Sequence, residues 1–515
     1  MTNDYSPTLY SDFTDPASRA AYELALNGVA SQLGAHAPLV IGGEEIDTDD
    51  VITSVNPSKP DEVVGTASKA SPDQAEQGLA AAWKAYPGWS ETPAAERAEA
   101  VARVAAIMAE RKFELAAWQT YEASKNWGEA EGDVAEAIDF ADYYAVQARR
   151  LAEPVPTYQM EGEVNESRLQ AMGAGVAIPP WNFPLAIPAG MALGPVAAGN
   201  TVVLKPASAT PMVSYKFMEI VAEAGIPAGV INFLPGAGGE VGDTLIDHPT
   251  TRFINFTGSK EVGLRIAQRS AVVHPGQSWL KRSYMEMGGK DAIIVDETAD
   301  LDAAAEGIVR SAFGFQGQKC SACSRAIAVG DVYDEIVDRV VALTGELEVG
   351  PATENFPVTA VISAGQHKMI LDEIDQGKTQ AKLVQGGSAI DLDGGWFIQP
   401  TVFADVPPDA RLAQHEIFGP VLSMIRANDY DHAVDIFNGT EFGLTGGLFS
   451  GDRSRLDEAK RRLHVGNLYL NRKITGAFVG VQPFGGFKMS GSNSKAGGPD
   501  YLRLFMEMKT VAEKL

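Results

Sequence analysis

The sequence predicts an α/β fold with two units, each built on a mostly parallel sheet. The chain has 515 residues, which at roughly 150 residues a domain allows two to four domains. Its 45% hydrophobic and 21% charged residues are typical of a folded globular protein. Short apolar runs alternate with amphipathic helices in two series, one before and one after residues 288–289. Such alternation with short connections indicates parallel strands joined by crossover helices.

The N-terminal part is predicted to be helical. Residues 1–45 are expected to wrap over the surface as an arm. Ser71-Pro72 and Thr92-Pro93 each combine an N-cap residue with a first-turn proline, and Ala-rich apolar periodicity follows. Residues 133–152 continue that pattern, so long helices are predicted before the first strand series.

The first series gives strands, helices and further strands in turn. The predicted strands are 168–176, 201–204, 230–234 and 252–256. The predicted helices between them are 211–224 and 240–247. This order indicates a doubly wound sheet, which commonly binds a dinucleotide.

The second series begins near residue 291. It predicts strands at 291–295 and 325–329 and helices at 301–313 and 332–347. Beyond residue 466 the chain is rich in glycine, and residues 501–515 have the alternating apolar positions of a strand. Such a terminal strand is suited to pairing with another subunit.

The charge balance argues against nucleic acids and membrane surfaces as partners. Lys and Arg number 42 and Asp and Glu 67, so the formal net charge is −25. This charge repels phosphate backbones and anionic lipid headgroups. Two cysteines cannot form a disulfide framework, and no secretory leader is recognised, so a cytoplasmic location is expected.

One segment has the composition of a membrane span. Residues 169–204 carry no charged side chain, over a length greater than the roughly 20 residues that a span requires. Five prolines in this segment would remove backbone hydrogen bonds that lipid cannot replace. A buried strand, a loop and a short helix of an α/β core are therefore predicted here.

Cys320 is the candidate nucleophile. It follows the glycine-containing segment 314–317 after a predicted helix, a setting that would aim its sulfur and its amide at the same place. The alternative for an isolated cysteine is a small buried packing residue. Cys323 completes a C-x-x-C pattern, but its position deep in the chain argues against a thioredoxin-like pair, and its role is left open.

Two other residues have side chains that could assist this nucleophile. Asn182 lies between prolines and aromatics, where its amide could donate to a developing oxyanion. Glu286 stands just before Gly288-Gly289, whose flexibility would let the carboxylate move. Taken singly, Asn182 more often orders a loop and Glu286 is more often solvated. The seven histidines have no metal-ligand spacing, so no metal is predicted.

Seven motifs together resemble the aldehyde dehydrogenase superfamily over nearly the whole chain. They occur in that family's order and are Pro180-Trp181-Asn182-Phe183-Pro184, Leu204-Lys205-Pro206-Ala207-Ser208, Phe256-Thr257-Gly258-Ser259 with Gly263, Glu286-Met287-Gly288-Gly289-Lys290, Gly317-Gln318-Lys319-Cys320, Glu416-Ile417-Phe418-Gly419-Pro420 and Pro483-Phe484-Gly485-Gly486-Phe487-Lys488. Segments 314–325 and 495–502 further resemble the branch that oxidises L-glutamate γ-semialdehyde.

The resemblance implies three structural units. A Rossmann-like NAD-binding domain with an N-terminal helical arm is expected over 1–153 and 173–288. A second α/β domain, carrying the nucleophile, is expected over 289–476, and a small β oligomerisation arm over 154–172 and 490–515. A homo-oligomer, dimer or hexamer, is expected, together with a functional link to proline dehydrogenase.

The resemblance also implies the chemistry. Cys320 attacks the aldehyde carbon, and the Asn182 amide with the Cys320 N–H holds the oxyanion. Glu286 then activates the water that hydrolyses the thioester. NAD is the expected cofactor, and the residues implied to bind it are Trp181, Lys205, Ser208, Gly258, Ser259, Gly263, Glu416 and Phe418. Strictly NAD-dependent relatives often carry Glu in place of Ser208, so some use of NADP is expected.

The α-carboxylate of L-glutamate γ-semialdehyde needs hydrogen-bond donors. The backbone N–H groups of Gly497 and Gly498, with the Ser321 hydroxyl, are predicted to supply them, although an ordinary turn is the alternative for this glycine pair. By resemblance, Phe183 and Phe505 would sandwich the aliphatic middle of the substrate. Two other functions remain open: oxidation of another semialdehyde or an aliphatic aldehyde, and a non-catalytic binding role on the same fold.

Overall fold

The computed structural model describes residues 5–515, and two large sheets form its framework. The elements as far as the last strand of the first large sheet are α1 (Pro16–Ala30), β1 (Ala35–Ala37), β2 (Leu39–Ile41), β3 (Glu44–Ile46), β4 (Val51–Asn56), β5 (Lys59–Ser68), α2 (Pro72–Glu91), α3 (Ala94–Glu110), α4 (Lys112–Ala123), α5 (Trp127–Leu151), β6 (Glu163–Ala171), β7 (Ala174–Ile178), α6 (Ala186–Ala197), β8 (Thr201–Leu204), α7 (Pro211–Glu223), β9 (Ile231–Phe233), α8 (Asp243–Asp247), β10 (Phe253–Thr257), α9 (Lys260–Ser270) and β11 (Arg282–Glu286).

The remaining elements are β12 (Asp291–Val295), α10 (Leu301–Phe313), β13 (Cys323–Val329), α11 (Tyr333–Gly345), α12 (Ala364–Gly377), β14 (Lys382–Gln385), β15 (Ala389–Ile390), β16 (Phe397–Ile398), β17 (Thr401–Ala404), α13 (Arg411–Gln414), β18 (Val421–Ala427), α14 (Tyr430–Asn438), β19 (Phe442–Gly443), β20 (Thr445–Phe449), α15 (Arg453–Arg462), β21 (Asn467–Leu470), β22 (Phe487–Lys488) and β23 (Met506–Lys514). The α/β fold class that the sequence predicts is confirmed.

The first large sheet has the strand order β11-β10-β7-β8-β9-β2-β3. Its five strands from β11 to β9 run parallel, and β2 and β3 extend the edge in antiparallel pairing. Apolar side chains of α2, α8 and α9 cover one face, and those of α3 to α7 cover the other. Helices on both faces make this a doubly wound sheet.

The second large sheet has the order β14-β17-β18-β13-β12-β20-β21, and only the pairing of β14 with β17 is antiparallel. The helices α10 and α11 pack on one face and α12, α14 and α15 on the other. The predicted strand 291–295 and helix 301–313 are confirmed with the same bounds.

The single strand predicted over 168–176 is wrong. The structure divides this segment into β6, which pairs with β23 as a separate two-stranded sheet, and β7, which lies inside the first large sheet. The break is at Gly173, whose φ is +138° and whose added Cβ would lie 2.5 Å from the Trp83 ring. An L side chain would be strained there and would also clash, so the glycine allows the chain to change sheets.

Both ends of the chain differ in part from the prediction. Within the first 45 residues, α1 buries Tyr22, Leu26 and Val29 in the core, and β2 joins the first sheet, so this part is not a surface arm. At the other end, Tyr501–Phe505 form a buried 3-10 turn before β23 begins. The prediction of a terminal strand is therefore confirmed only from residue 506 onward.

Residues 169–204 form the end of β6, then β7, α6 and β8, as the α/β interpretation predicts. Over the part of the chain that the structure describes, no helix combines the length and the apolar character needed to cross a membrane.

Candidate active site

The loops that follow the parallel strands of the first sheet converge at one edge. The chain passes from β7 through β8 to β9 on one side and then returns to β10 on the other side of β7. Loops that leave adjacent strands in opposite directions open a crevice at the carboxyl ends, where such sheets bind dinucleotides. Trp181 follows β7, Lys205 follows β8 and Gly258 follows β10. These three predicted cofactor residues therefore lie along one edge of the sheet.

Cys320 and Glu286 meet in one cavity although they belong to different sheets. Glu286 is the last residue of β11, and Cys320 lies just before β13, near the middle of the second sheet. Both line a cavity of about 470 Å³. The fold therefore brings together two residues that the sequence predicts to react in sequence on one substrate.

A tight left-handed turn holds Cys320. Phe315, Gln316 and Gly317 have φ of +51°, +54° and +66°. Residues other than glycine rarely adopt this conformation unless their surroundings fix it. Here Phe315 is buried, and the Gln316 amide donates to the Ala360 carbonyl at 3.0 Å. Phe315 packs with Ala123 of α4 and with Ile362, so the backbone around the thiol is set by contacts with both units.

The Cys320 thiol is free and partly exposed to the cavity. Burial raises its pKa well above the usual value for cysteine, and the negative charges of Glu286 and Asp291 raise it further. The resting side chain is thus a neutral thiol that needs a base to become a nucleophile. Its backbone N–H donates to no acceptor within residues 5–515, so this donor is free to bind an oxygen atom.

Asn182 lies directly beside the Cys320 turn. It is 3% exposed, and its Nδ2 donates to the carbonyl oxygen of Gln318 at 3.1 Å. A side-chain amide has two N–H groups, so one remains for another acceptor. The contact with Gln318 fixes the amide next to the nucleophile, as the predicted oxyanion role requires.

Glu286 is a buried acid without a partner. Its side chain is 9% exposed, and both carboxyl oxygens lack a hydrogen-bond partner in the described structure. Burial raises the pKa of the Glu286 carboxyl to about 8, while the nearby Lys495 ammonium opposes this rise. Such a group exchanges protons near neutral pH, which is what a general base requires.

The cavity has mainly apolar walls with charged groups among them. Its apolar lining includes Phe140, Phe183, Ile187, Met191, Phe478 and Phe484. The predicted substrate residues Phe183 and Ser321 therefore line the cavity. Its charged lining includes Glu129, Asp133, Glu136, Lys319, Arg472 and Lys473. The pocket thus fits a short molecule with an apolar middle and charged groups.

The prediction that Gly497 and Gly498 bind the substrate carboxylate is wrong. The Gly497 N–H donates to the Tyr144 hydroxyl at 3.0 Å, and the Gly498 N–H donates to the Lys495 carbonyl at 2.9 Å. Both donors are therefore occupied within the protein. The turn interpretation, which the sequence left open for this glycine pair, describes what the structure shows.

The predicted contact of Phe505 with the substrate is also wrong. It is fully buried and packs edge-on against Phe253, Tyr284 and Tyr501, with ring centroids 5.1, 5.2 and 5.3 Å away. It therefore belongs to the core under the C-terminal turn. The aromatic rings that line the cavity together with Phe183 include Phe140, Phe478 and Phe484.

Several residues of the cavity were missed from the sequence, among them three that offer polar groups. Gly476 and Ala477 line it, and their backbone N–H groups donate to no acceptor within residues 5–515. Glu136 lines it as well, and burial with the charge of Asp133 raises the pKa of its carboxyl to about 8. The sequence does show a glycine-rich region beyond residue 466, but not which of its amides lack acceptors.

Lys205 and Ser208 lie on the cofactor side of the first sheet. The Lys205 ammonium is buried and donates to the carbonyls of Pro206 and Gly236 at 3.2 and 3.0 Å. Burial lowers its pKa to about 8, so an additional acceptor would be favourable. Ser208 is exposed on the loop between β8 and α7.

The N-terminus of α9 follows Gly258 and Ser259. The Ser259 hydroxyl accepts from the Val262 N–H and caps the helix. A Cβ at Gly258 would lie 2.6 Å from the Phe256 ring. A Cβ at Gly263 would collide with the Met287 sulfur. Small residues at a helix start leave its backbone N–H groups accessible, which suits a pyrophosphate.

Glu416 and Phe418 bring the second unit to the same crevice. Glu416 Oε1 accepts from the Gly289 N–H at 2.9 Å, and burial raises the pKa of this carboxyl to about 7. A Cβ at Gly288 would collide with the Glu416 carboxylate. Phe418 meets the Trp181 ring edge to face at 5.5 Å. The predicted cofactor residues of both units therefore surround one crevice, and this donor set fits a dinucleotide.

A family model decides the relationship. The model of the aldehyde dehydrogenase family matches residues 45–511 of the chain. The chain belongs to the aldehyde dehydrogenase family. It is 54% identical to a protein named 1-pyrroline-5-carboxylate dehydrogenase from Geobacillus sp. (strain WCH70), over 100% of both chains. It is 50% identical to the protein of that name from Bacillus subtilis (strain 168), again over 100% of both.

Solved structures of this family superpose closely on the chain. A crystal structure of 1-pyrroline-5-carboxylate dehydrogenase from Thermus with bound NAD has a TM-score of 0.99 at 53% identity and covers 100% of both chains. Proline utilization A from Bdellovibrio bacteriovorus has a TM-score of 0.97 at 46% identity. That match covers 99% of this chain and 53% of the other. The aldehyde dehydrogenase resemblance that the motifs indicate is confirmed.

Proposed function

We propose that this chain is an NAD-dependent dehydrogenase that oxidises L-glutamate γ-semialdehyde, the open form of 1-pyrroline-5-carboxylate, to L-glutamate. One observation carries the proposal. A single cavity contains the Cys320 thiol, the unpartnered Glu286 carboxyl and the free backbone N–H groups of Gly476 and Ala477. The names of the Geobacillus and Bacillus relatives support the same substrate.

Cys320 is the proposed nucleophile. Its sulfur bonds to the aldehyde carbon, and the thiol proton must leave at the same stage. The Glu286 carboxylate faces the same cavity and has no other partner, so it is the proposed acceptor of that proton. A thiol whose pKa is raised gains most from a base placed beside it.

The negative charge that develops on the aldehyde oxygen needs donors at the Cys320 turn. The free Cys320 N–H and the second N–H of Asn182 are the proposed pair. Removing one donor of this kind typically lowers the rate about 100- to 1,000-fold. The two donors also orient the carbonyl, because they fix its oxygen on one side of the sulfur.

NAD, when bound, supplies a hydride acceptor, so oxidation leaves a thioester on Cys320. The residues proposed to hold it are Lys205, Ser208, Ser259 and Glu416 around the crevice, with Trp181, Gly258, Gly263 and Phe418 shaping it. Glu286 first releases the thiol proton to solvent, and its carboxylate then takes a proton from water, so that the hydroxide attacks the thioester carbon. The Cys320 sulfur leaves as thiolate, and the free acid is formed.

The other end of the substrate is recognised by charge. The Gly476 and Ala477 N–H groups and the Ser321 hydroxyl are proposed to bind the α-carboxylate. The Glu136 carboxyl lines the same cavity and is proposed to pair with the α-ammonium, which would restore its charged form. Phe183 and Phe484 supply apolar surface for the methylene groups between these ends, but neither is paired with Phe505.

The chain is proposed to act as three units in a homo-oligomer. The first unit follows the first large sheet over 1–153 and 173–288, and the second follows the second large sheet over 289–476. The β6 and β23 arm, within 154–172 and 490–515, is the proposed contact between subunits. Both cysteines are free thiols, which supports a reducing compartment such as the cytoplasm.

A functional link to proline oxidation is part of the proposal. The chain matches about half of the proline utilization protein from Bdellovibrio bacteriovorus. Proline dehydrogenase is therefore the proposed source of the substrate. The alternative, a dehydrogenase for simple aliphatic aldehydes, does not use the charged groups in the cavity lining.

A substrate panel tests the proposal. We expect kcat/KM for 1-pyrroline-5-carboxylate to exceed that for hexanal at least about 100-fold, with succinate semialdehyde between them, because each hydrogen bond to a charged end contributes about 1.5 to 3 kcal/mol. Cys320→Ala should abolish the activity, and Cys323→Ala, a change in the buried core, should keep it. Equal rates on hexanal and 1-pyrroline-5-carboxylate would contradict the assignment.

A further inference from the structure

Residues 5–15, called the N-terminal strap below, run outside both large sheets and precede α1. The aldehyde dehydrogenase family model begins only at residue 45, so the strap lies outside the matched region. It crosses between the middle of α5 and the loop 476–480. These two elements both contribute to the cavity that contains Cys320.

The strap is fixed to α5 by two buried acids. The Thr8 N–H and hydroxyl donate to Asp139 at 2.8 and 2.7 Å, and Asp139 is 3% exposed. The Ser11 N–H and hydroxyl donate to Glu131 at 3.0 and 2.6 Å, and Glu131 is 1% exposed. Hydrogen bonds to buried charges are stronger than neutral ones, so the strap is held firmly at both points.

Two tyrosines of the strap contact the loop 476–480. The Tyr5 hydroxyl donates to the Val479 carbonyl at 2.9 Å. The Tyr10 ring stacks on Phe478, with centroids 5.8 Å apart and planes 24° apart. Tyr10 and Phe478 both line the cavity. The strap therefore touches the side of the loop that follows the free N–H groups at 476 and 477.

We propose that the N-terminal strap is a wall of the substrate cavity, in which Tyr10 limits access to Cys320 and holds the loop 476–480 in position for the substrate carboxylate. The role of the loop rests on the proposed function, whereas the effect on access to the thiol does not. Tyr10 is a positioning residue that acts through Phe478.

A substitution at Tyr10 distinguishes a role in the cavity from a purely structural role of the strap. It is 54% exposed, and its hydroxyl has no hydrogen-bond partner within residues 5–515, so replacing it should change stability little. The attachment of the strap depends on Thr8 and Ser11, which a change at Tyr10 leaves intact. A kinetic effect at Tyr10 would therefore report on the cavity.

The first experiment measures access to the thiol and needs no substrate. Cys320 is alkylated with a bulky maleimide in the wild type, Tyr10→Ala and Tyr10→Phe, and the rate is followed by mass spectrometry. We expect Tyr10→Ala to react about 3- to 10-fold faster, the factor that one aromatic pair is worth, and Tyr10→Phe to match the wild type. Leu9→Ala is the matched control, because Leu9 lies in the same strap, is 87% exposed and lies outside the cavity lining. An unchanged rate in Tyr10→Ala would overturn the inference.

The second experiment measures substrate selection. We expect Tyr10→Ala to raise KM for 1-pyrroline-5-carboxylate about 3- to 10-fold with kcat within about twofold, and to raise kcat/KM for decanal relative to hexanal. Tyr10→Trp should shift the decanal to hexanal ratio in the opposite direction. If the wild type does not oxidise 1-pyrroline-5-carboxylate at all, the proposed function fails. The alkylation rates then still test whether the strap limits access to Cys320. Active Tyr10→Ala and Tyr10→Trp variants with the KM and chain-length preference of the wild type would overturn the proposed role of Tyr10.

Discussion

The carboxyl group of Glu286 is buried and unpartnered at the end of β11, beside the thiol of Cys320. Burying a carboxyl without a hydrogen bond is unfavourable for its charged form, and this is why its pKa is raised to about 8. The same property makes the group a proton acceptor of useful strength near neutral pH. Stability and reactivity are therefore coupled at this residue.

A pH profile tests the role of Glu286 as a base. Only the carboxylate form accepts a proton, so we expect kcat to rise with pH and to level off above about pH 8, following the Glu286 pKa. Below that value the rate should fall about tenfold for each pH unit. Glu286→Gln should remove this dependence and slow both thiol deprotonation and thioester hydrolysis, so that the acyl-enzyme on Cys320 forms slowly and then persists in mass spectra. A variant that shows no acyl adduct during turnover would contradict the assignment.

Glu286→Gln should increase the stability of the fold at high pH, although it lowers activity. The pKa of Glu286 is higher in the folded state than the roughly 4.3 of an exposed glutamate, so its ionisation destabilises the fold increasingly from about pH 4 to 8. We expect Glu286→Gln to be more stable than the wild type at pH 9, by roughly 1 to 3 kcal/mol, and equal to it at pH 4. Urea denaturation at the two pH values measures this, and equal stability at pH 9 would contradict the raised pKa.

Ser208 should determine how well NADP is accepted. Its exposed hydroxyl lies on the loop after β8 and leaves room for a 2′-phosphate, whereas a carboxylate there would repel it. We expect measurable activity with NADP in the wild type and at least a tenfold lower kcat/KM for NADP in Ser208→Glu, since 1.4 kcal/mol is a factor of ten. Activity with NAD should change little. Ser208→Gln is the control of equal size without charge. A wild-type rate with NADP no higher than the rate without enzyme would contradict the proposed role of Ser208.

At the residue scale, sequence predicts reactive groups better than it predicts donors. Cys320, Glu286 and Asn182 stand in motifs whose order is informative, and the structure brings them to one place. The sequence equally predicts that Gly497 and Gly498 bind an anion, and the structure shows their N–H groups occupied. Whether a backbone N–H is free depends on acceptors far away in the chain, such as the Tyr144 hydroxyl for Gly497. That information is not contained in a local pattern.

The loop 476–480 is the element that should define the substrate. Ala477→Pro removes one free N–H group without adding a charge, so we expect KM for 1-pyrroline-5-carboxylate to rise about tenfold or more, the value of a hydrogen bond to a charged group. KM for hexanal should change less than about twofold, because hexanal has no carboxylate.

Ala477→Ser is the matched control for this loop, because it keeps the N–H group and adds little volume. It should behave as the wild type with both substrates. Equal increases in KM for hexanal and 1-pyrroline-5-carboxylate in Ala477→Pro would mean that the loop does not bind the carboxylate.

Elements with a clear apolar period are predictable, and those that depend on a distant partner are not. Strand 291–295 and helix 301–313 are confirmed with the same bounds, because Asp296 ends the apolar run of the strand and Asp300 and Gly314 border the helix. The sequence does not show that the strand is interrupted at Gly173, since this depends on Trp83 of α2 packing against the glycine. The sequence does not separate the 3-10 turn Tyr501–Phe505 from the strand predicted over 501–515, because four apolar residues around Arg503 are compatible with either structure.

At the scale of the whole molecule, the arm of β6 and β23 has an open edge along β23 within the described structure, whereas the outer edge of β6 is bridged from Ser167 to Val155. The two strands pair from Met506 with Ala171 to Lys514 with Glu163, and they contact no third strand of residues 5–515. Met508 and Val511 of the arm are 53% and 41% exposed. Open edges with apolar side chains favour pairing with another chain.

We expect the wild type to have at least twice the chain mass of 54.7 kDa in solution. The double variant Met508→Lys with Val511→Lys should shift the mass toward the monomer, because each ammonium would have to be buried in the contact. Light scattering after size-exclusion chromatography measures both. Lys509→Ala, a change at an exposed charged position of the same strand, is the control. A monomeric wild type would contradict the proposed role of the arm.

The two-sheet organisation was predictable from the sequence, because each series of strands and helices is continuous along the chain. The involvement of the first residues was not. They were expected on the surface, yet α1 packs into the core and the strap reaches the cavity. The contacts of the strap with the loop 476–480 link segments more than 400 residues apart, as Tyr5 and Val479 show with a separation of 474.

The reacting pair of Cys320 and Glu286 is divided between two sheets that are continuous in the chain on either side of Gly288-Gly289. Cutting the backbone at that point would therefore give two fragments, each with a complete large sheet. One fragment would contain Glu286 and the other Cys320. Neither fragment would turn over substrate alone. Recovery of turnover on mixing them would measure how tightly the halves reassociate.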